Sequence, residues 1–240
     1  MVVVRLVLAS ATMGVGACVQ GLIGFGANLI AAPILVLIDD RFAPAPVNIA
    51  SSLLNVLLVL RARRARLPAD RMIRYAIAGE LPGTLAAGAV VTVLAARGLS
   101  IAFASLVMLA VLLSASGLSL VRNRRNLAAA GALAGFMGTI SGIGGPPIAL
   151  VYQHERAAVL RGTLPKFFLV GSALTLTTLA IVGQLGWEQA RLGLALVPGM
   201  VVGLRVSRLL AGHVDQRSMR PVVLVLSSAA AVSVLVRELV

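Results

Sequence analysis

Residues 138–147 read Gly-Thr-Ile-Ser-Gly-Ile-Gly-Gly-Pro-Pro, inside the apolar run Leu127–Tyr152. A helix crossing a membrane through this run needs an unbroken ladder of backbone hydrogen bonds. Proline removes a donor and clashes with the preceding turn, and glycine is a poor helix former. At membrane depth, freed N–H and C=O groups are tolerated only where protein or a polar cavity receives them. A glycine-rich break there is a candidate binding site, because many secondary transporters hold their substrate at broken helices.

The break has a counterpart. Gln20–Pro33 reads Gln-Gly-Leu-Ile-Gly-Phe-Gly-Ala-Asn-Leu-Ile-Ala-Ala-Pro. Sliding the chain along itself sets Gly24 on Gly142, Gly26 on Gly144, Ala27 on Gly145 and Asn28 on Pro146. Farther on, Pro82-Gly83 falls on Pro198-Gly199 with nearly the same offset. Two landmarks in one order predict an internal duplication, 1–121 and 122–240, forming one membrane domain. Chance is the competing explanation, since small residues are common in membrane helices.

Composition agrees with a membrane protein. Hydrophobic residues make up 59% of the 240 and charged residues 12%, and the mean hydropathy is +1.00. A span needs about 20 apolar residues, and such runs recur throughout, leaving no room for a soluble domain. The net charge of +13 does not imply nucleic acid, because the cations sit at the ends of apolar runs. There they mark topology and attract anionic lipid. The single Cys18 excludes an internal disulfide and any multi-cysteine metal site. His154 and His213 have no metal-ligand spacing, so neither metal nor cofactor is expected.

In chain order, Val2–Cys18 resembles a signal peptide. Its apolar stretch runs on to Ile38 and belongs to the first repeat, so it is read as retained. The expected spans are Val47–Leu60, Met72–Leu94, Ser100–Val121, Leu164–Gly183, Ala190–Leu210 and Pro221–Val236. Basic residues crowd the connections after Leu60, Val121, Tyr152 and Leu210, while those at 39–46, 95–99 and 184–190 are nearly neutral. Were every run to cross, the basic connections at 122–126 and 153–163 would lie on opposite sides. Letting Leu127–Tyr152 enter and return on one side removes the conflict. The same treatment of Ser10–Ile38 gives an all-α protein of two repeats, each one re-entrant helix plus three spans. Three is odd, so the repeats would be inverted, and Arg5 would fall on the side the positive-inside rule disfavours. Eight plain spans in two parallel repeats is the alternative.

These residues resemble the TauE/SafE family. The second-half motif Gly138–Pro147, its first-half partner Gly21–Pro33 and Leu160-Arg-Gly-Thr163 carry the resemblance over essentially the whole chain. The family is described as exporting sulfite and carrying sulfonates and other small anions. The resemblance implies a multi-pass protein of a bacterial inner membrane, with a small anion and membrane lipid as partners and a homodimer left open. Where the family usually has three consecutive glycines, this chain has Gly26-Ala27-Asn28, a departure that bears on the substrate.

Chemistry follows from the residue types. Half-helix N-termini at a break offer N–H groups and a positive dipole end to an anion. Gly24, Gly26, Gly142, Gly144, Gly145 and Pro146 would form the backbone of the site. Asn28, Asn48, Ser51, Ser52, Asn55, Thr139, Ser141, Thr163 and Ser172 could add neutral donors near the two breaks. Each polar residue has a competing role in helix–helix packing. Glu80 lies about 12 Å into its span at 1.5 Å per residue, where a carboxyl could couple a proton to anion movement. An interfacial carboxylate satisfied by Arg74 is the alternative. Lys166 reads as a snorkelling anchor. A membrane enzyme on a lipid-linked substrate would need clustered acid, base or nucleophile residues, which this chain lacks. A non-transporting assembly partner would leave the matched breaks without a purpose.

Overall fold

The computed structural model describes residues 2–210 together with Val225, Ala229, Val232, Ser233 and Val236. Ten α-helices occupy 2–210: α1 Val2–Ile23, α2 Ala27–Ile38, α3 Ala45–Arg64, α4 Ile73–Val93, α5 Ala96–Ala115, α6 Arg124–Ser141, α7 Gly145–Tyr152, α8 Ala157–Ile181, α9 Trp187–Ala195 and α10 Val197–Leu210. Six stretches, each one helix or the α9–α10 pair, are long and apolar enough to cross a membrane. Pro221–Val236, the last expected span, lies almost wholly outside the described residues.

Both glycine-rich runs break. Gly24 and Gly26 adopt φ of 102° and 101° between α1 and α2, and Gly142 adopts 75° after α6. Left-handed backbone of this kind costs a side-chain-bearing residue, so glycine sets where the helices stop. The second half-helices begin at Ala27 and Gly145, two positions that the sequence comparison pairs. Pro146 and Pro147 occupy the first turn of α7, where a missing N–H costs nothing.

Each broken element folds back on itself. Arg122 Nε stands 3.1 Å from Glu155 Oε1, so the residues before α6 and after α7 meet. Arg5 approaches Asp39 at 3.7 Å, joining the start of α1 to the end of α2. Asp39 precedes α3 and Asp70 follows it, and Asp70 also pairs with Arg122, at 2.7 Å. The two hairpins therefore open at opposite ends of α3, about 30 Å apart for a 20-residue helix. Arg5, disfavoured by the charge rule, is neutralised by Asp39.

Close backbone approach fixes the helix pairs. A Cβ on Gly79, Gly83 or Gly131 would overlap the carbonyl oxygens of Ala128, Ala132 and Ala76, which locks α4 onto α6. Gly199 and Gly203 meet Ser10 and Gly14 in the same way, locking α10 onto α1. Helices without a hydrophobic driving force between them associate through such small-residue seams. With the breaks aligned, Gly203 takes the place of Gly83 and Gly199 that of Gly79. The Pro82-Gly83 match to Pro198-Gly199 is thus displaced by one helical turn.

Several boundaries differ from expectation. α5 stops at Ala115 rather than Val121, because Gly117 turns left-handed at φ 66° just after it. Residues 116–123 then run beside α7, where the Leu120 N–H donates to the Leu150 carbonyl at 3.0 Å. α8 begins at Ala157, absorbing the expected linker and placing Pro165 inside a helix. The run Ala190–Leu210 is two helices parted at Leu196, with Pro198 in the first turn of α10.

Candidate functional site

The breaks meet at a cavity of about 60 Å³. Gly26, Ala27 and Asn28 line it from the start of α2, and Gly145 and Pro146 from the start of α7. Two half-helix N-termini thus converge on one space, where their dipoles favour negative charge. Asn48, Ser51 and Asn55 line it from α3, Glu80 from α4, and Ser172 and Thr175 from α8. Among the described residues no arginine or lysine lines it, and Glu80 is the one titratable side chain that does.

Asn28 ties the two breaks together. Its Nδ2 donates to the Gly142 carbonyl at 2.7 Å, and its Oδ1 accepts from Ser51 Oγ at 2.6 Å. Asn48 Nδ2 donates to the Pro44 carbonyl at 2.9 Å and to that of Gly138 at 3.3 Å. A second chain of bonds fixes the side chains nearer Gly24. The Ala27 N–H donates to Gln20 Oε1 at 3.2 Å, which sets the Gln20 amide. Gln20 Nε2 then donates to Asn55 Oδ1 at 2.9 Å. That bond occupies Asn55 Oδ1 as an acceptor and turns the Asn55 amide with it.

Glu80 is only 4% exposed, and its Oε2 has no hydrogen-bond partner among the described residues. Gly171 on α8 and Gly135 on α6 make its space, since a Cβ at either would collide with Glu80 atoms. Arg74 donates instead to Tyr75 Oη at 3.0 Å, so the alternative of an interfacial Glu80 satisfied by Arg74 does not form among the described residues. Lys166 is half-buried within α8 rather than near a helix start.

Four expected site residues lie elsewhere. Gly24 does not line the cavity; it stands beside Arg161, whose Cγ is 3.6 Å from where a Gly24 Cβ would be. A Cβ on Gly144 would face the Ala134 carbonyl at 2.8 Å. Ser141 Oγ donates to the Met137 carbonyl of its own helix at 2.7 Å. Thr163 Oγ1 accepts from the Asp70 N–H at 2.9 Å. Thr139 and Ser52 also bond the preceding turn of their own helices. Gln20, Phe25, Phe168 and Thr175 line the cavity without having been singled out from sequence. For Gln20 a signal existed: it is the one amide in the apolar run before Gly24.

On the face beyond α3, Asp70 gathers a network. It accepts from Arg122 at 2.7 Å, Tyr152 Oη at 2.8 Å and the Met72 N–H at 3.0 Å. Burial alone would raise its carboxyl, yet these hydrogen bonds outweigh burial and hold it below the usual carboxylate range. On the opposite face Asp39 is likewise held low, chiefly by its hydrogen bonds with Arg41.

A family-wide profile described as sulfite exporter TauE/SafE matches residues 8–234. Neither the curated proteins nor the solved structures contain a match. With six stretches long and apolar enough to cross a membrane and a profile that spans nearly the whole chain, the assignment follows: this protein belongs to the TauE/SafE sulfite exporter family and is a multi-pass membrane permease of the anion-exporter kind, not an enzyme.

Proposed function

We propose that the cavity between the two breaks holds the transported anion, a small oxyanion of the sulfite or sulfonate class. The convergence of two helix starts with neutral donors, and with no arginine or lysine among the described residues, carries this reading. Donors and dipoles favour the anion, while the absence of a full counter-charge lets it leave. The volume supports a small substrate. One water needs about 10–15 Å³ of such space, so about 60 Å³ suits one sulfite-sized group and excludes a large organic anion.

Three further parts complete the reading. Glu80, the buried carboxyl at the cavity wall, carries a proton coupled to anion movement. The chain is two inverted repeats, 1–121 and 122–240. Hairpins opening at opposite ends of α3 and the paired starts at Ala27 and Gly145 support this. The face bearing Arg61–Arg66, Arg122–Arg125 and Arg156–Arg161 lies in the cytoplasm of a bacterial inner membrane, as the positive-inside rule favours.

Gly145 provides the test. A Cβ there would stand 3.5 Å from Phe25 Cδ2 and 3.8 Å from Phe168 Cζ, which is ordinary contact. Gly145→Ala should therefore retain sulfite flux in proteoliposomes, whereas Gly145→Leu fills the cavity and abolishes it. Wild-type flux from a monodisperse Gly145→Leu protein would move the site elsewhere.

A further inference from the structure

A second cavity, of about 250 Å³, lies between the end of α1, the end of α3 and the start of α8. Arg61 and Arg161 line it, and Gln20 lines both this cavity and the central one. The charges acting on Arg61 are those of Arg161 and of Arg208 on α10. None of these three arginines forms an ion pair among the described residues. On this face the carboxylates of Asp70 and Glu155 are both engaged by Arg122 instead. Two guanidinium groups, those of Arg61 and Arg161, thus line a cavity that no carboxylate among the described residues lines, and the charge of Arg208 also bears on Arg61. Mutual repulsion makes that arrangement unfavourable until an anion arrives.

From this geometry we infer that the Arg61–Arg161 cavity is a second, outlying station for the same small oxyanion, separated from the central cavity by Gln20. The inference rests on the central cavity being the transport site. Guanidinium groups present planar forks of donors that match oxyanions. A cationic recess with low-dielectric walls concentrates anions from solution. Its volume is about four times that of the central cavity, room for an anion that still holds water. The Gln20–Asn55 hydrogen bond at 2.9 Å then closes the way inward, and passing it trades water for the neutral donors of the breaks. Full charge outside and neutral donors inside give capture without trapping.

The test uses the purified full-length protein in oriented proteoliposomes, with radiolabelled sulfite presented on the arginine face. Arg61→Gln/Arg161→Gln should raise KM on that face about tenfold while kcat changes less than about twofold, since steering acts on capture. Raising the ionic strength should increase KM for the wild type and leave the double variant nearly unaffected. The Arg61→Lys/Arg161→Lys protein should recover most of the affinity. A phospholipid headgroup is the other oxyanion that could fill the recess. If so, the effect would appear only in vesicles containing phosphatidylglycerol and vanish in pure phosphatidylcholine, which overturns the inference. An unchanged KM in the glutamine pair, or a lysine pair no better than it, overturns it as well. Absence of saturable, Gly145→Leu-sensitive flux in the wild type would instead overturn the central reading.

Discussion

Glu80→Gln isolates the proposed proton step. Glutamine keeps the shape of the side chain, so the packing against Gly171 and Gly135 survives, but it cannot carry a proton. The structure sets the magnitude. The carboxyl is 4% exposed, and its Oε2 has no donor among the described residues. No cationic side chain among the described residues lines the cavity. Leaving an ionised carboxylate there without partners costs several kcal/mol even after relaxation. The charge is therefore tolerable only when a neighbour compensates it. Protonated, the same group becomes a donor for the anion. If one proton moves with one anion, a difference of one pH unit supplies about 1.4 kcal/mol, enough for about tenfold accumulation. The assay is uptake into proteoliposomes under an imposed pH difference, using a sulfonate whose own charge is constant between about pH 6 and 8. Wild-type protein should accumulate the sulfonate, and Glu80→Gln should equilibrate it without accumulation. Accumulation by Glu80→Gln equal to that of the wild type would refute the coupling.

Asn28→Ala removes two hydrogen bonds that join the breaks, at about 1 kcal/mol each plus the orphaned Gly142 carbonyl. Flux and detergent thermal stability should both fall, the latter by about 2–4 °C per kcal/mol; unchanged melting would show that the bridge contributes nothing. Asp70 has a depressed carboxyl, so its network stabilises above the unfolded value of about pH 3.9 and is lost as pH falls through the folded one. Asp70→Asn should melt lower at pH 7, and the difference from wild type should shrink on acidification below about pH 4. A difference that persists unchanged at low pH would show the ion pair to be irrelevant. Cysteines placed at positions 64, 124 and 156 of a Cys18→Ala protein should resist an impermeant thiol reagent outside intact cells. Labelling at any of the three would reverse the proposed orientation.

The breaks were legible because glycine and proline act on the backbone itself. Glycine permits the left-handed torsions at Gly24, Gly26 and Gly142, and proline opens a helix at no cost in donors. Asn28, Asn48, Ser51, Asn55 and Glu80 were legible as polar groups inside apolar runs, where each needs a partner or a cavity. What sequence did not reveal is the azimuth of each polar residue. A serine or threonine can return its hydroxyl to the preceding turn, as Ser141 and Thr139 do, and nothing local distinguishes that choice. Thr163 is taken by the Asp70 N–H, far away in sequence. α5 ended early at Ser116-Gly117, a stop hidden by the hydrophobic residues that follow it.

Under the proposed function, the hydrogen bonds of the cavity account for how an anion would bind there and still leave. Asn28, Asn48, Ser51 and Ser172 all spend a donor on the protein. An arriving anion must break some of those bonds to make its own. Exchange of one neutral hydrogen bond for another is nearly neutral in free energy, whereas a bond to a charged acceptor is roughly twice as strong. Binding therefore gains only the difference, bond by bond, plus the dipoles of α2 and α7. Asn55 lines the same cavity, and its Oδ1 is held by Gln20, which the Ala27 N–H fixes in turn. The same bonds that close the empty cavity re-form when the anion departs, so release does not leave the breaks with orphaned groups.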